Sequence, residues 1–218
     1  MRLALTKERI EQAFDLMGRM AAERALVIEI AVYGGSCLIL ASNIRVSSAD
    51  VDAVFLSDGK TVREIADAVG LRLGIGQDWI NEAVRQSAPP RGNPRPNLLP
   101  FGEFPRSGDA AVGLRVYLPT PAYMRAMKLL ANRLEDDFEK IETDQADAVA
   151  LMKVTGIDTR EALLELLKEC YSKIVGIVEP SVHPRIAAKL DALMDAYAEA
   201  GADVDPTWNA GRGPATRS

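Results

Sequence analysis

Apolar residues recur at helical spacing near the start of the chain: Ile10, Phe14, Leu16, Met17 and Met20 follow Thr6, with Arg9 and Glu11 on the polar side. That spacing gathers the apolar side chains on one face, so it predicts a helix over residues 6–23 with Thr6 as its N-cap. The period then changes. Leu26 to Tyr33 is a β-rich run ending in Gly34-Gly35-Ser36, which predicts a strand, a glycine turn and a short helix starting near Cys37. After Ser42 and Asn43, the segment Asp50 to Leu56 alternates and then turns apolar, the pattern of a second strand. A turn at residues 57–60 and a helix over 61–69, with Val62, Ile65, Ala66 and Val69 on one face, complete this part.

Between Ser87 and Gly108 stand Pro89, Pro90, Pro94, Pro96, Pro100 and Pro105. Proline lacks the N–H that a central strand must donate, so this stretch is expected as loop or sheet edge. Residues 113–118 predict a brief strand, and Thr120-Pro121 supplies a cap and a first-turn proline. Helices are expected over 121–132, 144–154, 159–171 and 184–199. The predicted class is α/β (α+β): a small mixed sheet with flanking helices over 1–118, a helical part over 119–204, and a loose Gly- and Pro-rich tail over 205–218.

With 218 residues, 48% hydrophobic and 26% charged, the chain can bury a core and is neither disordered nor fibrous. A net charge of −5 argues against coating nucleic acid with the whole surface. The charge is uneven, however. From Arg85 to Arg133 the basic residues are Arg85, Arg91, Arg95, Arg106, Arg115, Arg125, Lys128 and Arg133, opposed only by Glu103 and Asp109. A local basic surface suited to a phosphate-rich ligand is the expectation. Cys37 and Cys170 belong to no CxxC pattern and are expected as small buried hydrophobes. His183 is the lone histidine, which weighs against a Ser–His–Asp hydrolase or a histidine-ligated zinc. The start of the chain shows no signal-peptide pattern, and the apolar run 26–41, interrupted by Glu29, is too short to span a bilayer. The expectation is a cytoplasmic protein with no membrane partner.

The informative unit is Gly34-Gly35-Ser36, then Arg45, then Asp50-Val51-Asp52. On a strand, side chains two apart point the same way, so Asp50 and Asp52 share a face. Two neighbouring carboxylates repel unless a cation neutralises them, and Mg²⁺ (or Mn²⁺) takes hard oxygen ligands while keeping places for water and phosphate. A glycine turn after a strand offers backbone N–H groups to a phosphate where a side chain would block approach. Taken singly, Gly-Gly-Ser is more often a plain turn, and Asp-x-Asp a solvated pair. Order and spacing carry the signal.

Together these residues resemble the pattern of the nucleotidyltransferase superfamily and, more narrowly, of its abortive-infection AbiEii-type toxin group, in which an arginine precedes the acidic pair as Arg45 does here. Asp78-Trp79-Ile80-Asn81 is similar to that group's Trp-Leu-Asn box. The segment Thr120 to Arg133, with Lys128, is similar to its basic helix, and Asp144 to Leu151 to its Asp-x-x-Asp helix. The resemblance covers about residues 20–175. It implies Mg²⁺ at Asp50 and Asp52, a nucleoside triphosphate held by Gly34, Gly35, Ser36, Arg45, Lys128 and Arg133, and catalytic roles for Asp50, Asp52, Asp147, Asp144 and Lys128. The residues between Arg133 and Asp144 leave Asp136, Asp137, Asp144 and Asp147 as candidates to complete the site, in which Asp147 and then Asp144 are favoured. The implied reaction is nucleotidyl transfer to an acceptor hydroxyl, with RNA or tRNA as the expected acceptor and a cognate antitoxin protein as the expected partner. A catalytically silent binding module or antitoxin, and transfer to a small molecule such as an antibiotic, are the alternatives. Read without the resemblance, Asp144 and Asp147 are an acidic first turn, Lys128 snorkels or, if its helix faces the cleft, holds a triphosphate, and Trp79 packs a core edge, with nucleobase stacking as the alternative.

Overall fold

The computed structural model describes residues 4–86, 97–106, 111–131, 138–171, 184–200 and 206–209. They fall into two compact units, the first holding the described residues through Pro119 together with Asn209, the second those from Thr120 to Trp208.

In the first unit the order is α1 (Lys7–Ala22), β1 (Ile28–Val32), α2 (Gly34–Ala41), β2 (Val51–Phe55), α3 (Gly59–Leu73), β3 (Ile80–Asn81), β4 (Leu98–Phe104) and β5 (Leu114–Pro119). Thr6 caps α1 by accepting the Arg9 N–H at 3.4 Å. Asp58 caps α3 by accepting the Thr61 N–H at 2.9 Å and the Thr61 hydroxyl at 2.6 Å. The helix α3 is longer than periodicity predicts, starting at Gly59 and closing on Gly74 in the left-handed conformation.

The sheet has five strands in the order β3-β2-β1-β5-β4. Strand β1 runs antiparallel to β2 and parallel to β5, so the sheet is mixed and the fold is α/β with both pairing types. Register partners share a face. Ile30, Phe55 and Val116 therefore lie on one side, with Ile28, Val32, Val51, Ala53, Leu114 and Leu118, and all are buried. The other side carries Glu29, Arg115 and Tyr117, where the Tyr117 hydroxyl donates to Glu29 Oε1 at 3.1 Å. The proline-rich segment places Pro100 in β4, at the sheet edge and beside a register shift between Pro100 and Gly102. An edge strand tolerates the missing donor.

In the second unit α4 (Pro121–Ala131), α5 (Phe138–Thr155), α6 (Arg160–Cys170) and α7 (Pro184–Glu199) follow. Thr120 accepts the Tyr123 N–H and Thr159 the Ala162 N–H, each at 3.3 Å. Helix α5 begins at Phe138, six residues before the expected start at Asp144. Cys37 is buried and Cys170 half-buried, and both are free thiols. Of the expected loose tail, residues 206–209 are described, and the Asn209 N–H donates to Ala41 O at 2.6 Å. Among the described residues no helix is long and apolar enough to cross a membrane.

Candidate functional site

Strand β2 begins at Val51, so Asp50 stands just before it and Asp52 within it. Asp52 is the register partner of Asn81 on the parallel strand β3, so the two side chains share a face. The Asn81 Nδ2 donates to Asp50 Oδ2 at 2.9 Å. Asp50 thus reaches the face that Asp52 and Asn81 already share.

The glycine turn meets the same place. Gly34 has φ +62, a left-handed conformation that favours glycine. A Cβ on Gly34 would collide with Asp52 Oδ2. At Gly35 a Cβ would come 2.9 Å from Arg45 Nη1 and 3.2 Å from Ser48 Oγ. Arg45 therefore lies against the start of α2, whose N-cap Tyr33 provides no side-chain hydrogen bond to the helix. The amides of the first turn of a helix are donors without partners inside the helix.

Ser36 is the turn residue expected at a phosphate. It is buried, and its hydroxyl donates to the Asp50 backbone oxygen at 2.5 Å. Its proton is committed to holding Asp50. The Tyr33 N–H donates to Asp52 O at 2.8 Å and ties the other acidic residue to the end of β1.

Two carboxylates with hard oxygen donors, half-buried and turned to one face, suit Mg²⁺ or Mn²⁺, which complete their shell with water and phosphate oxygens. Among the described residues no three or more His, Cys, Asp or Glu side chains gather as a larger metal cluster.

Strand β3 is fixed from behind. Arg63 Nη1 donates to Ile80 O at 2.6 Å, and Trp79 Nε1 to Ala66 O at 2.8 Å. Trp79 is buried and packs against Phe14, with ring centroids 6.3 Å apart. It is a core residue, not a stacking platform.

In the second unit Lys128, Asp144 and Asp147 come together. Lys128 Nζ lies 2.5 Å from Asp144 Oδ1 and 2.8 Å from Asp147 Oδ2. Lys128 and Asp147 are buried. Because α5 starts at Phe138, the two acids sit beyond its first turn, and the helix dipole does not account for them. Lys128 does not snorkel; its charge is met by two carboxylates. Arg133, Asp136, Asp137 and His183 lie outside the described residues.

The expected basic surface is largely spent. Arg85 pairs with Glu82 at 3.1 Å, Arg106 with Glu11 at 2.8 Å, and Arg115 with Glu103 at 3.0 Å. Arg125 is buried, donating from Nη1 to Thr155 Oγ1 and Ile157 O; burial pushes its guanidinium down to about 10. Arg91 and Arg95 lie outside the described residues.

No protein-family model and no curated protein matches the chain. One solved structure it is similar to is the crystal structure of an antigenic nucleotidyltransferase-like protein from Paracoccidioides brasiliensis, at 15% identity and a TM-score of 0.37, covering 87% of this chain and 95% of that one. At that score the likeness assigns neither a family nor an activity.

Proposed function

We propose that the protein is a Mg²⁺- or Mn²⁺-dependent nucleotidyltransferase that moves a nucleoside monophosphate from a nucleoside triphosphate to an acceptor hydroxyl. The observation that carries this reading is Asp52 keeping its carboxylate against Gly34, where a side chain would stand, with Asp50 tied to the same face. The two acids hold the cation, and the first amides of α2, with Arg45 beside them, receive the phosphates. Ser36 keeps Asp50 in place through its backbone. The bound cation supplies charge neutralisation at the phosphates. The acceptor oxygen attacks the α-phosphorus, the bond from that phosphorus to the β-bridging oxygen breaks, and pyrophosphate leaves. The acceptor proton passes to a carboxylate or to solvent. Positioning and electrostatics supply the rate, with no covalent intermediate on the protein.

Lys128 between two carboxylates first serves to hold α4 to α5. A role for Asp147 or Asp144 toward the acceptor draws on the resemblance in the sequence alone. RNA or tRNA as acceptor, and a toxin role with an antitoxin partner, draw on the resemblance in the sequence; the pairing of Arg85, Arg106 and Arg115 lends them no support. One observation favours a second reading, a nucleotide-binding module without turnover: the Lys128 charge is already met within its own cluster.

The test is incubation of the full chain with Mg²⁺ and each α-labelled nucleoside triphosphate, with bulk RNA or small hydroxylated acceptors. Label transferred by the wild type and lost in Asp52→Ala supports the enzyme. Nucleotide binding without transfer supports the module. Transfer undiminished in Asp52→Ala defeats the site.

A further inference from the structure

We propose that Asn81 is a positioning residue for Asp50, setting which carboxylate oxygen is offered to the cation; the inference rests on the metal reading of Asp50 and Asp52. The Ala83 N–H donates to Asn81 Oδ1 at 2.8 Å, and Asn81 Nδ2 donates to Asp50 Oδ2 at 2.9 Å. The first bond fixes the amide's orientation. Reversing the amide would set Oδ1 against a carboxylate oxygen and Nδ2 against an N–H, two repulsive contacts in place of two bonds. The donor end is therefore always toward Asp50.

Capping the short turn at Ala83–Gln86 accounts for Oδ1 alone. It does not account for Nδ2, whose partner, thirty-one residues away, stands just before another strand. Strand β3 has only two residues, yet Arg63 and Trp79 anchor it to α3 and its surroundings. Asn81 thus projects from a fixed point onto a carboxylate that a neighbouring acid repels. With Oδ2 held by the amide and the backbone oxygen held by Ser36, Oδ1 of Asp50 has no partner among the described residues. It is the oxygen left for a cation, and Asn81 holds it ready before the cation arrives.

The experiment is an Mn²⁺ titration of the full chain, reading free Mn²⁺ by electron paramagnetic resonance, with thermal unfolding of each variant as a fold control. The variants are Asn81→Ala, Asn81→Ser and Asp52→Ala. Serine keeps an acceptor for the Ala83 N–H but is too short to reach Asp50, so it deletes only the bond in question. We expect Asn81→Ser to weaken Mn²⁺ binding on the order of 10–100-fold, as loss of a partner that orients a metal ligand typically does. Saturating Mn²⁺ should restore one bound ion, which general damage to the fold would not allow. Asn81→Ala should match it if folded; if it unfolds, serine decides. Binding by Asn81→Ser within about twofold of wild type, with Asp52→Ala abolishing it, overturns the role of Asn81 and leaves the metal reading standing. Failure of the wild type to bind Mn²⁺ at millimolar concentration overturns both.

Discussion

Gly34 and Asp52 divide one small volume between them: the glycine has no side chain, and the aspartate sets its carboxylate where that side chain would be. The substitution Gly34→Ala therefore has two separable effects. A left-handed alanine costs roughly 1–2 kcal/mol, measurable by urea unfolding. The Asp52 carboxylate must also swing aside, so Mn²⁺ and nucleotide binding should fall far more than stability does. A variant that loses stability but binds Mn²⁺ as wild type would separate the turn from the site.

Lys128 carries the largest stability effect we expect from one polar side chain. Lys128→Met removes the ammonium that Asp144 and the buried Asp147 share, and removing one partner of a buried ion pair costs about 3–5 kcal/mol. Asp147→Asn added to Lys128→Met should recover part of that loss, because it removes one of the two carboxylate charges that faced Lys128. Urea unfolding of both single variants and the double completes the cycle. Additivity would contradict the observed pairing.

Asp58 provides a pH signature. Its bonds from the Thr61 hydroxyl and N–H hold its carboxyl below the usual value of 3.8. A carboxylate with a lowered folded pKa stabilises above its unfolded value and loses that contribution as pH falls through the folded one. Asp58→Ala should thus melt lower than wild type at pH 7, with the difference vanishing below the ordinary aspartate range. A difference independent of pH would contradict the capping role.

Burial pushes the Cys170 thiol up to about 11, with Glu169 adding to the rise and Arg125 opposing it. The thiolate is the reactive form. Alkylation of Cys170 by iodoacetamide in the native protein should keep rising about tenfold per pH unit beyond pH 9, where an ordinary thiol with pKa about 8.5 levels off. A plateau near pH 9, followed by mass spectrometry, would contradict that environment.

The alternation of Val51, Ala53 and Phe55 made β2 legible, and the threonines at 6, 120 and 159 marked helix starts that the structure reproduces. Prolines foretold an edge, where β4 lies. Strand β3 was not legible, since two residues carry no period. Helix α5 was read short because Phe138 and Ile141 are the only large apolar residues ahead of Val149, too few to set a period. A count of charges between Arg85 and Arg133 overstated the basic surface, since Glu11 and Glu29 arrive from other elements and Glu82 stands just before the counted stretch. At the site, the order of Gly34, Ser36, Asp50 and Asp52 could be read from the chain. The bond from Asn81 to Asp50, the tie from Ser36 and the double pairing of Lys128 could not, because each depends on distances across the fold. The asparagine closing the Trp79-Ile80-Asn81 segment was the one available signal for the first of these.

The most direct measurement is a crystal structure of the full chain with Mn²⁺ and a non-hydrolysable nucleoside triphosphate, with the metal located by anomalous scattering. One Mn²⁺ is expected at about 2.1 Å from a carboxylate oxygen of each of Asp50 and Asp52, with phosphate oxygens at the first amides of α2. Mn²⁺ bound elsewhere, or nucleotide bound with both carboxylates turned away from it, would rule out Asp50 and Asp52 as the metal site.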